Sequence, residues 1–231
     1  MKTKEKVKEL RMKYKQSVFQ KHPVESFQHA TAVVEGLLEL DLSMDEALTQ
    51  AGKWMLAHTK GPSIDEWKGL LRYHMDLISK RELTALERRQ AFEVTYFFVI
   101  GMKKWHRNLK KIPQLYDAVI GATIPILSQS KDIPTKTRLL LIRAVEDVLA
   151  TLDKSPKGRY RLAELRMHRG LLMADSKQPN DVDLGLRLLR QQATIFSKLA
   201  AKSYEGASEM VDKVKAYMEE IKKKLDDQIA S

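Results

Sequence analysis

Apolar residues recur every three or four positions along almost the whole chain, and only short polar breaks separate these stretches. In one of them Val182, Leu186, Leu189, Ala193 and Phe196 are spaced 4, 3, 4 and 3 apart. This is the period of an α-helix that buries one face. The sequence contains no Asn-Gly or Asp-Gly pair and no long alternating run that would indicate a β-hairpin. The pattern therefore predicts about ten helices and no sheet.

Three of the predicted helices begin with a Ser or Thr followed three residues later by Glu. The pattern occurs at Ser43–Glu46, Ser63–Glu66 and Thr84–Glu87. In such a capping box the hydroxyl accepts from a backbone amide of the first turn, and the Glu side chain accepts from the amide of the capping residue. These positions predict helix starts at residues 44, 64 and 85.

The helix that starts at residue 85 is apolar almost all round between Val94 and Ile100, which is typical of a central helix packed on several sides. The sequence predicts an all-α fold, either an irregular antiparallel bundle or a solenoid-like array of helical hairpins. Residues 1–22 are expected to form a basic amphipathic helix. Residues 23–231 are expected to form one helical domain, with a weak boundary near 153–157.

Charge and cysteine content limit the classes of function. The chain has 41 Lys and Arg residues against 30 Asp and Glu residues, a formal net charge of +11, and no cysteine. The lack of cysteine excludes disulfides, thiol nucleophiles and iron–sulfur clusters, and indicates a reducing compartment. The longest uncharged run, residues 118–130, would be roughly 20 Å long as a helix, too short for a bilayer core of about 30 Å. We therefore expect a cytoplasmic protein with no membrane span, metal or cofactor.

Positive charge is concentrated in three places. The first 21 residues contain seven Lys and one Arg against two Glu, five cations surround the Trp in residues 103–111, and a predicted helix after Pro156 carries a basic strip. Cations displace counterions from phosphates, and an exposed aromatic ring stacks on unpaired bases. The candidate nucleic-acid-binding residues are Lys103, Lys104, Trp105, Arg107, Lys110, Lys111, Arg159, Arg166 and Arg169.

These basic residues also have a purely structural interpretation. Cations near residues 103–111 would lie at the C-terminal end of the central helix and complement its dipole, while Trp105 faces the core. For the N-terminal helix, an anionic membrane surface is a third possible partner.

A different pair of residues suggests a catalytic alternative. Arg161 and His168 are separated by six residues, a spacing that resembles the Arg-x(4–6)-His motif of the helical HEPN ribonucleases. In that family the arginine steadies phosphate charge and the histidine moves protons, so the resemblance implies a metal-independent ribonuclease. The residue after the arginine, usually polar in that family, is Leu162 here. The alternative is that the Arg161 stem packs at the helix start and His168 is hydrogen-bonded in the core.

Other catalytic patterns are missing from the sequence, including H-E-x-x-H, E-x-x-H, G-x-S-x-G and a Walker loop. We therefore expect a non-enzymatic helical protein that binds RNA or DNA, or an acidic protein, with little sequence specificity. The alternative is a helical scaffold or adaptor that uses Met-lined grooves or assembles with itself through the C-terminal helix. That helix carries apolar residues at Val211, Val214, Met218 and Ile221.

Overall fold

A computed structural model describes residues 2–18, 23–78, 83–105, 113–176 and 178–229. Within these ranges the chain forms ten α-helices and no strand, which confirms the predicted all-α class. The helices are α1 (Lys2–Val18), α2 (Pro23–Leu38), α3 (Met44–His58), α4 (Ile64–Ile78), α5 (Ala85–Lys104), α6 (Pro113–Gln129), α7 (Thr135–Leu152), α8 (Pro156–Ala174), α9 (Pro179–Ala200) and α10 (Ala207–Ile229).

The three predicted capping boxes begin α3, α4 and α5. The backbone amides of Ser43, Ser63 and Thr84 donate to the Glu carboxylate three residues later, at 3.1, 2.6 and 2.9 Å. In the reverse direction the amides of Glu66 and Glu87 donate to the hydroxyls of Ser63 and Thr84, at 3.3 and 3.2 Å. Each box satisfies backbone amides that have no partner within the helix, and so fixes where the helix begins.

The chain divides into two compact units, residues 1–144 and 145–231. The division falls within α7, whereas the sequence suggested a weak boundary in the turn at 153–157. Helix α1 is part of the first unit, where it packs against α2 and α3. The basic N-terminal helix is thus held on the helical domain.

Helix α5 is the centre of the first unit, as its all-round apolar sequence predicts. Every residue from Ala91 to Val99 is buried. The Phe98 ring packs against Phe27 of α2, with centroids 5.4 Å apart, and against Trp67 of α4, with centroids 5.8 Å apart. Because aromatic side chains bury large apolar areas, this cluster accounts for much of the stability of the unit.

The second unit is built on a close crossing of α8 and α9. A Cβ atom added at Gly185 would lie 2.6 Å from the carbonyl oxygen of Gly170 and 2.7 Å from the amide nitrogen of Ala174. Only a residue without a side chain fits between two backbones at this distance. Helix α10 then covers the pair, and its residues Met210 and Val214 are buried in the same core.

Two titratable side chains lie in the core of the first unit. The Nε2 atom of His74 is 2.7 Å from Oγ1 of Thr95, and Thr95 donates to the carbonyl oxygen of Ala91. Burial lowers the pKa of His74 to about 4. Glu93 is 1% exposed and pairs with Nε of Arg89 at 2.9 Å. Burial raises the pKa of Glu93 to about 7, and the charge of Arg89 opposes this shift.

The two shifts make opposite contributions to the pH dependence of stability. The stabilisation from His74 is complete above pH 6.5 and is lost as the pH falls toward about 4, since the unfolded state then binds an extra proton. The stabilisation from neutral Glu93 is complete below pH 4.5 and is lost as the pH rises toward about 7. These two slopes therefore oppose each other between pH 4.5 and 6.5.

The variant Glu93→Gln removes the contribution of Glu93 to the pH dependence of stability and leaves that of His74. The difference between its free energy of unfolding and that of the parent protein should increase by about 2 to 3 kcal/mol from pH 4.5 to pH 7. The reason is that the amide stays neutral while Glu93 of the parent becomes charged. Urea unfolding at several pH values measures this difference. Glu39→Gln, at an exposed position of the same unit, is the control. A difference for Glu93→Gln that does not vary with pH would contradict the assignment.

Candidate nucleic-acid interface

Helix α1 is fixed to the first unit by a narrow apolar stripe. Tyr14 is 3% exposed, and its hydroxyl donates to the carbonyl oxygen of Ser26 at 3.4 Å. The Tyr14 ring lies 6.4 Å from the Trp54 ring, centroid to centroid, and Leu10 packs over Gly36 of α2. The cations of α1 are left exposed on the other sides, namely Lys4, Lys6, Lys8, Arg11, Lys13 and Lys15.

Trp105 follows the last residue of α5 and is half-buried. Its ring lies between Gly61 and Gly101. A Cβ atom added to Gly61 would be 2.8 Å from the Trp105 ring, and one added to Gly101 would be 3.1 Å from it. The ring also meets the edge of Trp67, with centroids 6.4 Å apart. The two glycines thus provide the space that Trp105 fills. The structure gives Trp105 a packing role, which is the structural alternative that the sequence left open beside stacking on a base.

The packed ring lies next to two lysines, and one of them contacts it. Lys103 and Lys104 are both exposed. The Lys104 Nζ atom donates to the carbonyl oxygen of Leu56 in the last turn of α3, and it lies 5.8 Å from the centre of the Trp105 ring. An ammonium group has three donors, so Lys104 keeps further donors after this bond. The end of α5 therefore places positive charge at the end of α3.

Basic residues of α1 lie close to the same end of α3. His58, the last residue of α3, is half-buried. Burial lowers the pKa of its imidazole, and the positive charges of Arg11 and Lys15 lower it further. Tyr14, whose pKa burial raises to about 12, has the next residue, Thr59, as a neighbour. We define the basic surface as Arg11, Lys15, His58, Lys103 and Lys104.

The basic surface joins two features that lie about 90 residues apart in the sequence. The sequence identified the basic N-terminal helix and the lysines at 103 and 104 separately. No local signal showed that the end of α3, with His58, would lie beside both. The other three cations of this predicted site, Arg107, Lys110 and Lys111, fall outside the described residues.

The predicted basic strip of the second unit does not form a free surface. Arg159 is exposed at the start of α8. Arg169 and Arg166, however, turn toward Glu146 of α7, at 3.0 and 3.9 Å. Glu146 is itself buried, so it needs positive partners. The charge of two of the three predicted arginines is therefore partly balanced inside the unit.

The Arg161 and His168 pair lies on the side of α8 that meets α10. Both residues are half-buried. Burial lowers the pKa of His168, and the charge of Lys213 of α10 lowers it further. Burial raises the pKa of Glu164, one turn before His168, while Lys213 and Arg161 oppose that shift. These neighbours place the pair in a polar seam between two packed helices.

The methionines and the apolar stripe of α10, which suggested a scaffold, pack largely inside the two units. Met55, Met102 and Met167 are buried in the two cores. The apolar stripe of α10 packs in its own unit, with Met218 and Ile221 against the cluster that buries Val214. The large apolar side chains that remain exposed in the described residues each lie on a different helix; they are Met12, Met75, Leu86 and Leu184.

Comparison with known proteins identifies no relative of this chain. No family model matches the chain, and neither the curated proteins nor the solved structures contain a significant match. In the ranges that the structure covers, no helix has the length and apolar character needed to cross a bilayer. Over the same residues, no group of three or more His, Asp or Glu side chains is arranged to hold a metal ion.

Proposed function

We propose that the protein is a cytoplasmic, non-enzymatic nucleic-acid-binding protein whose first unit contacts phosphates through the basic surface. One observation carries the proposal: α1 packs on α3 through Tyr14 and Trp54, so its cations act on the end of α3 that Lys104 of α5 also contacts. Helix-end capping explains a single lysine such as Lys104 at this place. The packing of α1 brings Arg11 and Lys15 of another helix to the same place, so positive charge is concentrated there although like charges repel one another.

The energetic basis is the release of counterions. Each Lys or Arg that neutralises a phosphate frees a condensed cation, so a cluster of basic residues gains affinity for any nucleic acid. The net charge of +11 adds long-range attraction toward the same partner. Contacts to phosphates carry no sequence information, so we expect binding with little sequence preference.

Lysine footprinting tests where the contacts lie. The protein is acetylated lightly with and without a mixed-sequence DNA oligonucleotide, offered both as a single strand and as a duplex. Lys15 and Lys103 should be protected several-fold by bound DNA. The exposed lysines of the second unit, Lys198, Lys202 and Lys215, serve as internal controls and should react at the same rate in both samples. Protection confined to the second unit, or none at any lysine, would contradict the proposal.

A further inference from the structure

We infer that the partner is double-stranded and that the basic surface follows its phosphate backbone without stacking on bases. This inference rests on the proposed function and specifies the form of nucleic acid that the same surface recognises. It departs from the expectation, drawn from the sequence, that Trp105 would offer a stacking face to an unpaired base.

The first step concerns the aromatic rings of the basic surface. Proteins that bind single strands combine a basic groove with aromatic side chains on which bases stack. Here the Tyr14 ring is buried between α1 and its neighbours, and the Trp105 ring fills the space between Gly61 and Gly101. The Trp105 ring is half-buried in this space, so it offers a base less surface than a free side chain would. The aromatic rings beside the cations are therefore already engaged in packing.

The second step concerns how firmly the cations are held. Packing of Tyr14 fixes α1, and packing of Trp105 fixes the end of α5, so the charges of both helices are carried on an ordered framework. A duplex offers a stiff array with one charge per about 1.7 Å of axis, twice the density along one of its strands. A flexible single strand has the lower charge density and must lose conformational freedom to match fixed cations. The fixed array thus favours the duplex.

The counterion argument gives the size of the preference. The dependence of log affinity on log salt is about −0.9 per phosphate for duplex DNA and about −0.7 for a single strand. The four Lys and Arg contacts of the basic surface therefore favour the duplex by about sixfold near 0.1 M salt. The preference should be the same for AT-rich and GC-rich duplexes, since bases are not read.

The test uses the full chain and fluorescence anisotropy with a labelled mixed-sequence 20-mer, as a single strand and as a duplex. We expect the duplex to bind about sixfold more tightly at 0.1 M salt. Tryptophan emission should be unchanged when a saturating single strand is added, because Trp105 stays in its packed position. The variant Trp105→Phe should keep the preference for the duplex. The emission experiment uses the parent protein, so it does not depend on whether this variant folds.

The alternative outcomes are distinguishable. Single-strand binding that equals or exceeds duplex binding, with quenched emission, would overturn the duplex inference and leave phosphate binding in place. Binding to neither form would overturn both the inference and the proposed function. If neither form of DNA binds but vesicles that contain anionic lipid do, the basic surface would be assigned to membranes instead.

Discussion

Removing four cations from the basic surface should lower the affinity for duplex DNA by roughly 10³- to 10⁴-fold at 0.1 M salt. The substituted residues are Arg11, Lys15, Lys103 and Lys104, each changed to Ala. All four are exposed, so the substitutions open no cavity in the core. The affinity falls because each lost contact leaves a counterion on the DNA. Anisotropy titration of the parent and the variant measures the ratio.

A matched control separates this surface from net charge alone. Replacing Arg190, Lys198, Lys202 and Lys215 by Ala removes the same four charges from exposed positions of the second unit. This control should retain affinity within a few-fold of the parent. Equal losses in the two variants would show that affinity comes from charge spread over the whole protein.

The second large effect is expected at the crossing of α8 and α9. Gly185→Val should destabilise the second unit by about 3 kcal/mol or more, because its Cβ would meet the backbone of the facing helix and the helices must move apart. A backbone neighbour cannot rotate away as a flexible side chain can. The Cβ at Gly185 would lie only 2.6 Å from the carbonyl oxygen of Gly170.

The positions of the tryptophans help to assign this effect. Trp54, Trp67 and Trp105 all lie in the first unit, so tryptophan fluorescence reports on that unit while circular dichroism reports on all helices. Gly185→Val should lower the stability seen by circular dichroism. Gly121→Ala is the matched control: its Cβ meets nothing within 4 Å, so it should be neutral or gain up to about 1 kcal/mol from helix propensity. A parent-like transition in Gly185→Val would contradict the close crossing.

Local signals in the sequence were sufficient for the helices. The starts at Ser43, Ser63 and Thr84 were predicted because a capping box depends on residues three apart in the chain. The end of α6 was harder to predict, because a proline inside a helix commonly kinks or ends it. Helix α6 continues past Pro125 to Gln129. Its flanking residues Ala122 and Ile126 are buried, and this packing holds both sides of the proline in one helix.

The candidate site depended on contacts between distant segments. Trp105 was ambiguous because its environment is set partly by Gly61, which lies more than forty residues earlier. One local signal was present: Gly101 stands four residues before Trp105, on the same helix face, and a small residue there makes room for a large ring. The proximity of Arg11 and Lys15 to His58 follows from the packing of α1 and had no local signal.

The pairing of Arg166 and Arg169 with Glu146 illustrates the same limit. The sequence predicted that the arginines of α8 form a basic strip that binds nucleic acid. The structure places the carboxylate of Glu146 within reach of both. A glutamate among the apolar residues of α7 signals that a cation must lie nearby, although the sequence alone does not say which one.

Phosphate recognition by the basic surface is tested most directly by the salt dependence of duplex affinity. Log affinity falls linearly with log salt concentration, with a slope of about −0.9 for each phosphate that the protein neutralises. The slope measured for the parent should therefore be steeper, by about three to four, than that of the variant lacking Arg11, Lys15, Lys103 and Lys104. Equal slopes in the two proteins would contradict phosphate binding by these residues.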